Sequence, residues 1–240
     1  MAFSFQPKMI TDGLVLYLDA ANTKSYPGSG TTWSNLIEQS ISGSLTNGPT
    51  FNTANGGSIQ LDGTNDYVNL GNSSTLKPAR LTLSMWVNLS ITSSYTGWLF
   101  DGGYENSNKG YTMIFRSDNV FAFFVRNDQQ GANQNTEGIG VRSVVSTTTF
   151  VTSSWYNVTG VYDKTNAYIY VNGILEKSGS FTNDISYSST AVWIGNYVSS
   201  PNAGVITKGN IGITSLYNRA LSATEILQNY NALKGRFNLT

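Results

Sequence analysis

Two carboxylates and an amide crowd one short stretch, "SIQLDGTNDYVNLG" (58–71), in Asp62, Asn65 and Asp66. Hard oxygens of this kind suit calcium, which takes six to eight oxygen ligands, and neighbouring carboxyl groups are also the material of acid–base chemistry. A third reading is a tight turn between two strands, with the side-chain oxygens accepting backbone amide hydrogens. The spacing is not that of an EF-hand loop. Asp62-Gly63 followed by Asn65-Asp66 has turn composition, so the turn is the expected structure and one structural calcium the alternative. A solvated turn would not hold a carboxyl group protonated, which argues against a general acid there. No other cofactor is expected.

The chain of 240 residues contains neither histidine nor cysteine. That removes Ser-His-Asp and Cys-His nucleophile systems, His-based zinc sites and imidazole acid–base chemistry together. The fragments "GNIGIT" and "GIGV" lack the lysine of a phosphate loop and the strand-to-helix setting of a dinucleotide fingerprint, so they read as strand glycines.

Sugar recognition remains open. It combines aromatic rings with amide and carboxylate hydrogen-bonders, and three polar segments supply them: "DGGYENSNKGY", "RNDQQGANQN" and "GNYVSSPNAG". The candidate ligand-binding residues are Tyr104, Asn106, Asn108, Asn127, Asp128, Asn133, Tyr197 and Asn202. Each, taken singly, fits a solvated loop equally well.

Strands must position these segments. In "LTLSMWVNL" Leu81, Leu83, Met85, Val87 and Leu89 alternate with Thr82, Ser84, Trp86 and Asn88, the period-two pattern of a half-buried strand. "GYTMIFRS", "WYNVTGVYD", "NAYIYVNG" and "GNIGITSLYN" read alike, while "LVLYLDA" and "VFAFFVRN" are apolar on both faces and belong where both are covered. About a dozen strands are expected, without intervening helices, in an antiparallel sandwich. Trp86 lies on the polar face of its strand, so it is expected beneath a closing helix or a long loop. Residues 22–57 read as weakly structured, and 127–140 as one long surface loop. One helix closes the chain, in "LSATEILQNYNALKGRF". Ser222 and Glu225 form a capping box, Leu221 and Ile226 a staple, Ile226, Leu227, Tyr230 and Leu233 the buried stripe, and Gly235 the end. No break in composition divides residues 1–240, which are expected to form one domain.

Charged residues make up only 12% and the net charge is zero, with no basic stripe, so nucleic acid is not an expected partner. No apolar run reaches the roughly 20 residues that span a bilayer, and no secretion signal opens the chain.

"DGLVLYLDAAN", "SIQLDGTNDYV", "LTLSMWV", "WYNVTGVYD", "AYIYVNG", "VWIGN" and "GNIGITSLYNRALSATEI" occur in the order seen in laminin-G-like, concanavalin A-like domains, which the chain resembles from about Asp12 to Gly235. The resemblance implies an all-β, antiparallel two-sheet jelly-roll sandwich with first and last strands close together and a short C-terminal helix. Where many members carry Trp-x-His-Val, this chain has Trp155-Tyr156-Asn157-Val158, a strand position whose change leaves the fold intact. Sandwich glycosidases of the same architecture present their carboxyls from a Glu-x-Asp-x-x-Glu strand. Here Glu38, Glu105, Glu137, Glu176 and Glu225 lie outside any such pattern, so no enzyme is expected.

The opening "GLVLYLDAANTKSYPGSGTTWSNL" looks like versions found in structural proteins of bacteriophages, including those of cyanobacteria. This resemblance implies a virion surface module, made in host cytoplasm and folded without disulfides, that binds a host-surface glycan or receptor. The alternative it implies is capsid decoration or cement by protein contacts, with Tyr168 and Tyr170 on one strand face at an interface. Other virion proteins and further copies of the chain are the expected partners.

Overall fold

The computed structural model describes residues 7–90, 97–102, 109–128, 141–196 and 207–240. Sixteen strands run through them, more than the sequence count. They are β1 (Leu14–Asp19), β2 (Thr32–Ser34), β3 (Ser42–Thr46), β4 (Thr50–Asn52), β5 (Ser58–Asp62), β6 (Tyr67–Asn69), β7 (Leu81–Leu89) and β8 (Gly97–Asp101). There follow β9 (Tyr111–Phe115), β10 (Val120–Arg126), β11 (Val141–Thr149), β12 (Trp155–Tyr162), β13 (Asn166–Val171), β14 (Ile174–Ser180), β15 (Trp193–Ile194) and β16 (Lys208–Tyr217).

Two antiparallel sheets result. Sheet A has the order β14-β13-β12-β7-β16-β5-β4, with β1 also paired to β16, and sheet B has the order β11-β10-β9-β8-β15-β6-β3-β2. The pairing of β1 with β16 brings first and last strands together, as the resemblance implied. The stretch 22–57 is better ordered than its composition suggested, because β2, β3 and β4 each borrow a partner from a strand distant in sequence or across a turn.

Alternation decides which side chains meet between the sheets. Leu81, Leu83, Met85, Val87 and Leu89 of β7 join Phe121, Phe123 and Val125 of β10 and Trp33 of β2 in one buried core. The complementary face of β10 is also covered, with Ala122 and Phe124 clustering with Ile114 and Trp98. That explains why "VFAFFVR" shows no alternation at all. At Gly160 of β12 an added Cβ would sit 2.3 Å from the Phe123 ring, so the sheets approach here only because no side chain intervenes.

The C-terminal helix α1 (Ala223–Leu233) packs on the outer face of sheet A. The Ser222 hydroxyl accepts from the Glu225 amide while the Glu225 carboxylate accepts from the Ser222 amide, the expected capping box. Leu221 and Ile226 share one buried cluster. The stripe differs from the periodic expectation: Leu227 is 44% exposed, and Asn229 takes the buried place, its amide oxygen receiving the Ile10 N–H and its nitrogen donating to Tyr217 Oη. Gly235 does not end the helix. A 3-10 turn, Lys234–Phe237, continues it, and Asn238 in the left-handed region stops it. This carries Phe237 onto Trp86, with ring centroids 4.2 Å apart, and onto Trp155 at 4.5 Å. Trp86 is thereby 2% exposed, buried beneath the closing segment as expected. Arg236 pins the segment, donating to the carbonyls of Asn55 and Gly57 and to Asp19 Oδ1 at 2.6 Å.

Candidate functional site

β5 ends in sheet A and β6 begins in sheet B, so the 62–66 turn carries the chain across one rim of the sandwich. Asp62 Oδ1 accepts from Thr64 N at 2.7 Å, an Asx-turn, and Asp66 Oδ2 accepts from Asp62 N at 3.0 Å. Asn65 contributes its backbone carbonyl to Asn47 Nδ2 at 2.9 Å. Gly63 has φ of 80°, and a Cβ there would meet Lys208 Cβ at 2.7 Å, so glycine is required on both counts. The expected turn is therefore present.

Its burial is the surprise. Asp66 is only 3% exposed, not solvated as the composition implied. Desolvation pushes its carboxyl above the ordinary range, against the lowering effect of the Asp62 amide, and the neighbouring Asp62 charge adds to the rise. The turn opens on a cleft of about 430 Å³ lined by Asn47, Thr50, Gln60, Asp62, Asp66, Ser90 and Lys208. Lys208 is the direct cross-strand partner of Asp62, and Ser90 N donates to the Lys208 carbonyl at 3.0 Å. Immediately after Asp66, the Tyr67 ring stacks on Trp193 with centroids 4.2 Å apart and planes 15° from parallel. The Trp193 indole N–H has no hydrogen-bond partner among the described residues.

The cleft offers carboxylate and amide acceptors and amide, ammonium and hydroxyl donors. It can form many neutral or singly charge-assisted hydrogen bonds around a polar ligand. Its carboxylates each already accept a backbone amide and share the cleft with an ammonium group, a poor start for a cation needing six to eight oxygens. Among the described residues no group of three or more acidic, histidine or cysteine side chains converges.

Of the loop residues proposed for ligand binding, Tyr104, Asn106, Asn108, Asn133, Tyr197 and Asn202 lie outside the described residues. Asn127 is buried, and Asp128 is exposed with its carboxylate 3.5 Å from Lys109 Nζ. The described flanks separate the three segments into two groups. The end of β8, the start of β9 and the end of β10 meet at the rim opposite the 62–66 turn, through the pairs Asp101–Thr112 and Tyr111–Val125. Gly195 and Thr207, joined by a 3.0 Å backbone bond, flank the third segment on the same rim as the cleft. The described strand ends that flank these segments thus lie at opposite rims of the sandwich. Sequence reasoning missed Asn47, Gln60, Lys208 and the Tyr67–Trp193 stack, which strand pairing alone assembles.

A sequence profile of the concanavalin A-like lectin/glucanases superfamily matches residues 62–227, and the chain belongs to that family. Solved structures of similar fold include the binding domain of botulinum neurotoxin DC in complex with SialylT (TM-score 0.67, 14% identity, 92% of this chain and 52% of that one). A Trypanosoma rangeli sialidase in complex with the inhibitor DANA aligns with TM-score 0.66 and 16% identity over 99% of this chain and 36% of that one. The binding domain of Paraclostridial Mosquitocidal Protein 1 aligns with TM-score 0.70 and 12% identity over 92% and 52%. The chain thus spans from about a third to about half of these solved chains. No curated protein sequence matches it. No helix among the described residues is long and apolar enough to cross a membrane.

Proposed function

We propose that this chain is a non-enzymatic glycan-binding module whose ligand enters the cleft at the 62–66 rim. The observation that carries this reading is the cleft itself: Asn47, Gln60, Asp62, Asp66, Ser90 and Lys208 around about 430 Å³. Closely spaced donors and acceptors in a cleft of this size match the run of hydroxyl groups on a pyranose. The neurotoxin domain of like fold, which holds SialylT, supports the same class of ligand. Display on a virion is part of the proposal, supported by the resemblance of residues 13–36 to phage structural proteins. Many weak contacts multiplied by copy number would supply the avidity. No calcium is needed for it, since the turn closes on its own amides.

A glycan array probed with the purified chain, followed by titration of the best sugar, tests the reading. Asp62→Asn and Lys208→Ala are expected to weaken binding by about tenfold each, the loss of one charge-assisted hydrogen bond. Binding to no glycan, or undiminished binding by both variants, overturns it.

The architectural alternative, capsid decoration, is favoured by one observation. Ile174, Leu175 and Leu227 are exposed, and Gly173 brings the β13–β14 turn against Leu227 of α1. Copies that associate through this patch, lost on Ile174→Glu, would support it.

A further inference from the structure

A second groove lies on the other side of the molecule, on the outer face of sheet A beside the start of α1. It measures about 400 Å³, and Asp163, Tyr168, Tyr170, Ser222 and Glu225 line it. Period-two alternation puts Tyr168 and Tyr170 on the same face of β13, and Asp163 directly follows the neighbouring β12.

The hydrogen bonds around the groove leave a specific deficit. Asp163 Oδ1 accepts from Thr165 N, Thr165 Oγ1 and Asn166 N, and Oδ2 accepts from Tyr168 Oη at 2.9 Å. These bonds outweigh the opposing effect of desolvation and hold the carboxyl below its ordinary range, so it is ionised at neutral pH. No cation pairs with it among the described residues. Arg80 spends its Nε on the Asp163 backbone carbonyl, Lys164 pairs with Asp184, and Arg219 pairs with Glu225. Glu225 is saturated by Arg219 and the Ser222 cap. Tyr170 is 6% exposed and lines the groove, and its hydroxyl makes no hydrogen bond among the described residues. What remains is an unpaired negative charge, spare acceptor positions on Asp163 Oδ2 and the Tyr170 hydroxyl, one free donor, and two aromatic rings.

The geometry points to a binding site for an organic cation, an ammonium or guanidinium group carried on an apolar stem. Its N–H groups supply the missing donors, its charge meets Asp163, and its stem lies against Tyr168 and Tyr170, where cation–π attraction adds to the pairing. A neutral sugar would leave the carboxylate unpaired, so this site differs in ligand class from the rim cleft and does not rest on the reading of that cleft.

Titration of the intact chain with ethylguanidinium and n-butylammonium, followed by NMR of the tyrosine ring resonances, tests it, with n-butanol as the uncharged isostere. Saturable shifts of Tyr168 and Tyr170 are expected with the cations and not with butanol. Asp163→Asn keeps the turn acceptor, removes the charge and replaces the Oδ2 acceptor by an amide donor, and Tyr170→Phe removes only the hydroxyl. The first is expected to weaken cation binding by about tenfold and the second by a smaller factor. Parallel titrations with acetyl-lysine methylamide and methyl glucosaminide separate a basic peptide side chain from an amino sugar, and binding of either supports the site. Equal shifts with butanol, no saturable shift, or unchanged affinity in a folded Asp163→Asn variant overturns the inference.

Discussion

Phe237→Ala is expected to be among the most costly single changes outside the inter-sheet core. The ring is 2% exposed, wedged against Trp86 and Trp155 at 4.2 and 4.5 Å. Truncating a buried phenylalanine costs about 3–5 kcal/mol in transfer and cavity terms, and the paired rings place this site toward the upper end. For a chain of this size each kcal/mol lowers Tm by roughly 2–4 °C, so a fall of about 6–20 °C is expected. Undocking of the whole closing segment would cap the loss, and it would also wet Trp86 and shift tryptophan emission to the red. Urea denaturation followed by tryptophan fluorescence reads both effects. Arg236→Met in the same background should be less than additive, because Arg236 holds the same segment to Asp19 and to the Asn55 and Gly57 carbonyls. A loss below about 1 kcal/mol with unchanged emission would refute the claim that this tail shields the outer face of sheet A.

Gly160→Ala, which drives a methyl group into the Phe123 ring, should cost about 1–3 kcal/mol or more by overpacking, measured by thermal unfolding. Arg219 and the Ser222 cap depress the Glu225 carboxyl to about 2, below its ordinary 4.5. That contribution to stability is therefore complete above pH 4.5 and fades as pH falls toward 2. For this partly solvated pair we expect about 1 kcal/mol, absent in Glu225→Gln, by urea titration at each pH. Asp66 has the opposite sign: burial raises its carboxyl, so the native state gains stability as pH falls through the acid range, and carrying the charge costs stability at neutral pH. Asp66→Asn, which keeps the acceptor for the Asp62 amide, should melt no lower than the parent at pH 7, and EDTA should move neither. A Tm that drops on EDTA addition would instead establish a structural calcium.

Strand alternation made β7 legible from sequence down to the side of the sheet on which Trp86 falls, because one face of that strand meets the core and the other meets α1. β10 gave no such signal, since both of its faces are covered. The capping box was legible because its partners sit three residues apart, whereas the true helix end at Asn238 was hidden by the 3-10 continuation through Gly235. At the rim, the Asx-turn at Asp62 is local and could be read. The burial of Asp66 and the approach of Lys208 depend on β5 pairing with β16, about 150 residues away in the chain, and no local pattern encodes that. The same limit hid the Asp163 groove, whose far wall comes from α1.

Among the described residues β1 has no strand partner on one side of its backbone, and Asn35 fills the gap. Its amide oxygen receives the Tyr17 N–H at 2.8 Å, its nitrogen donates to the Val15 carbonyl at 3.0 Å, and Leu36 N bonds the Tyr17 carbonyl. A single side chain stands in for a neighbouring ladder on both polarities. The molecule can therefore be crowded with its own kind without zipping into fibrils along this border, and Asn35→Leu should be the change that first turns a clear concentrated solution cloudy.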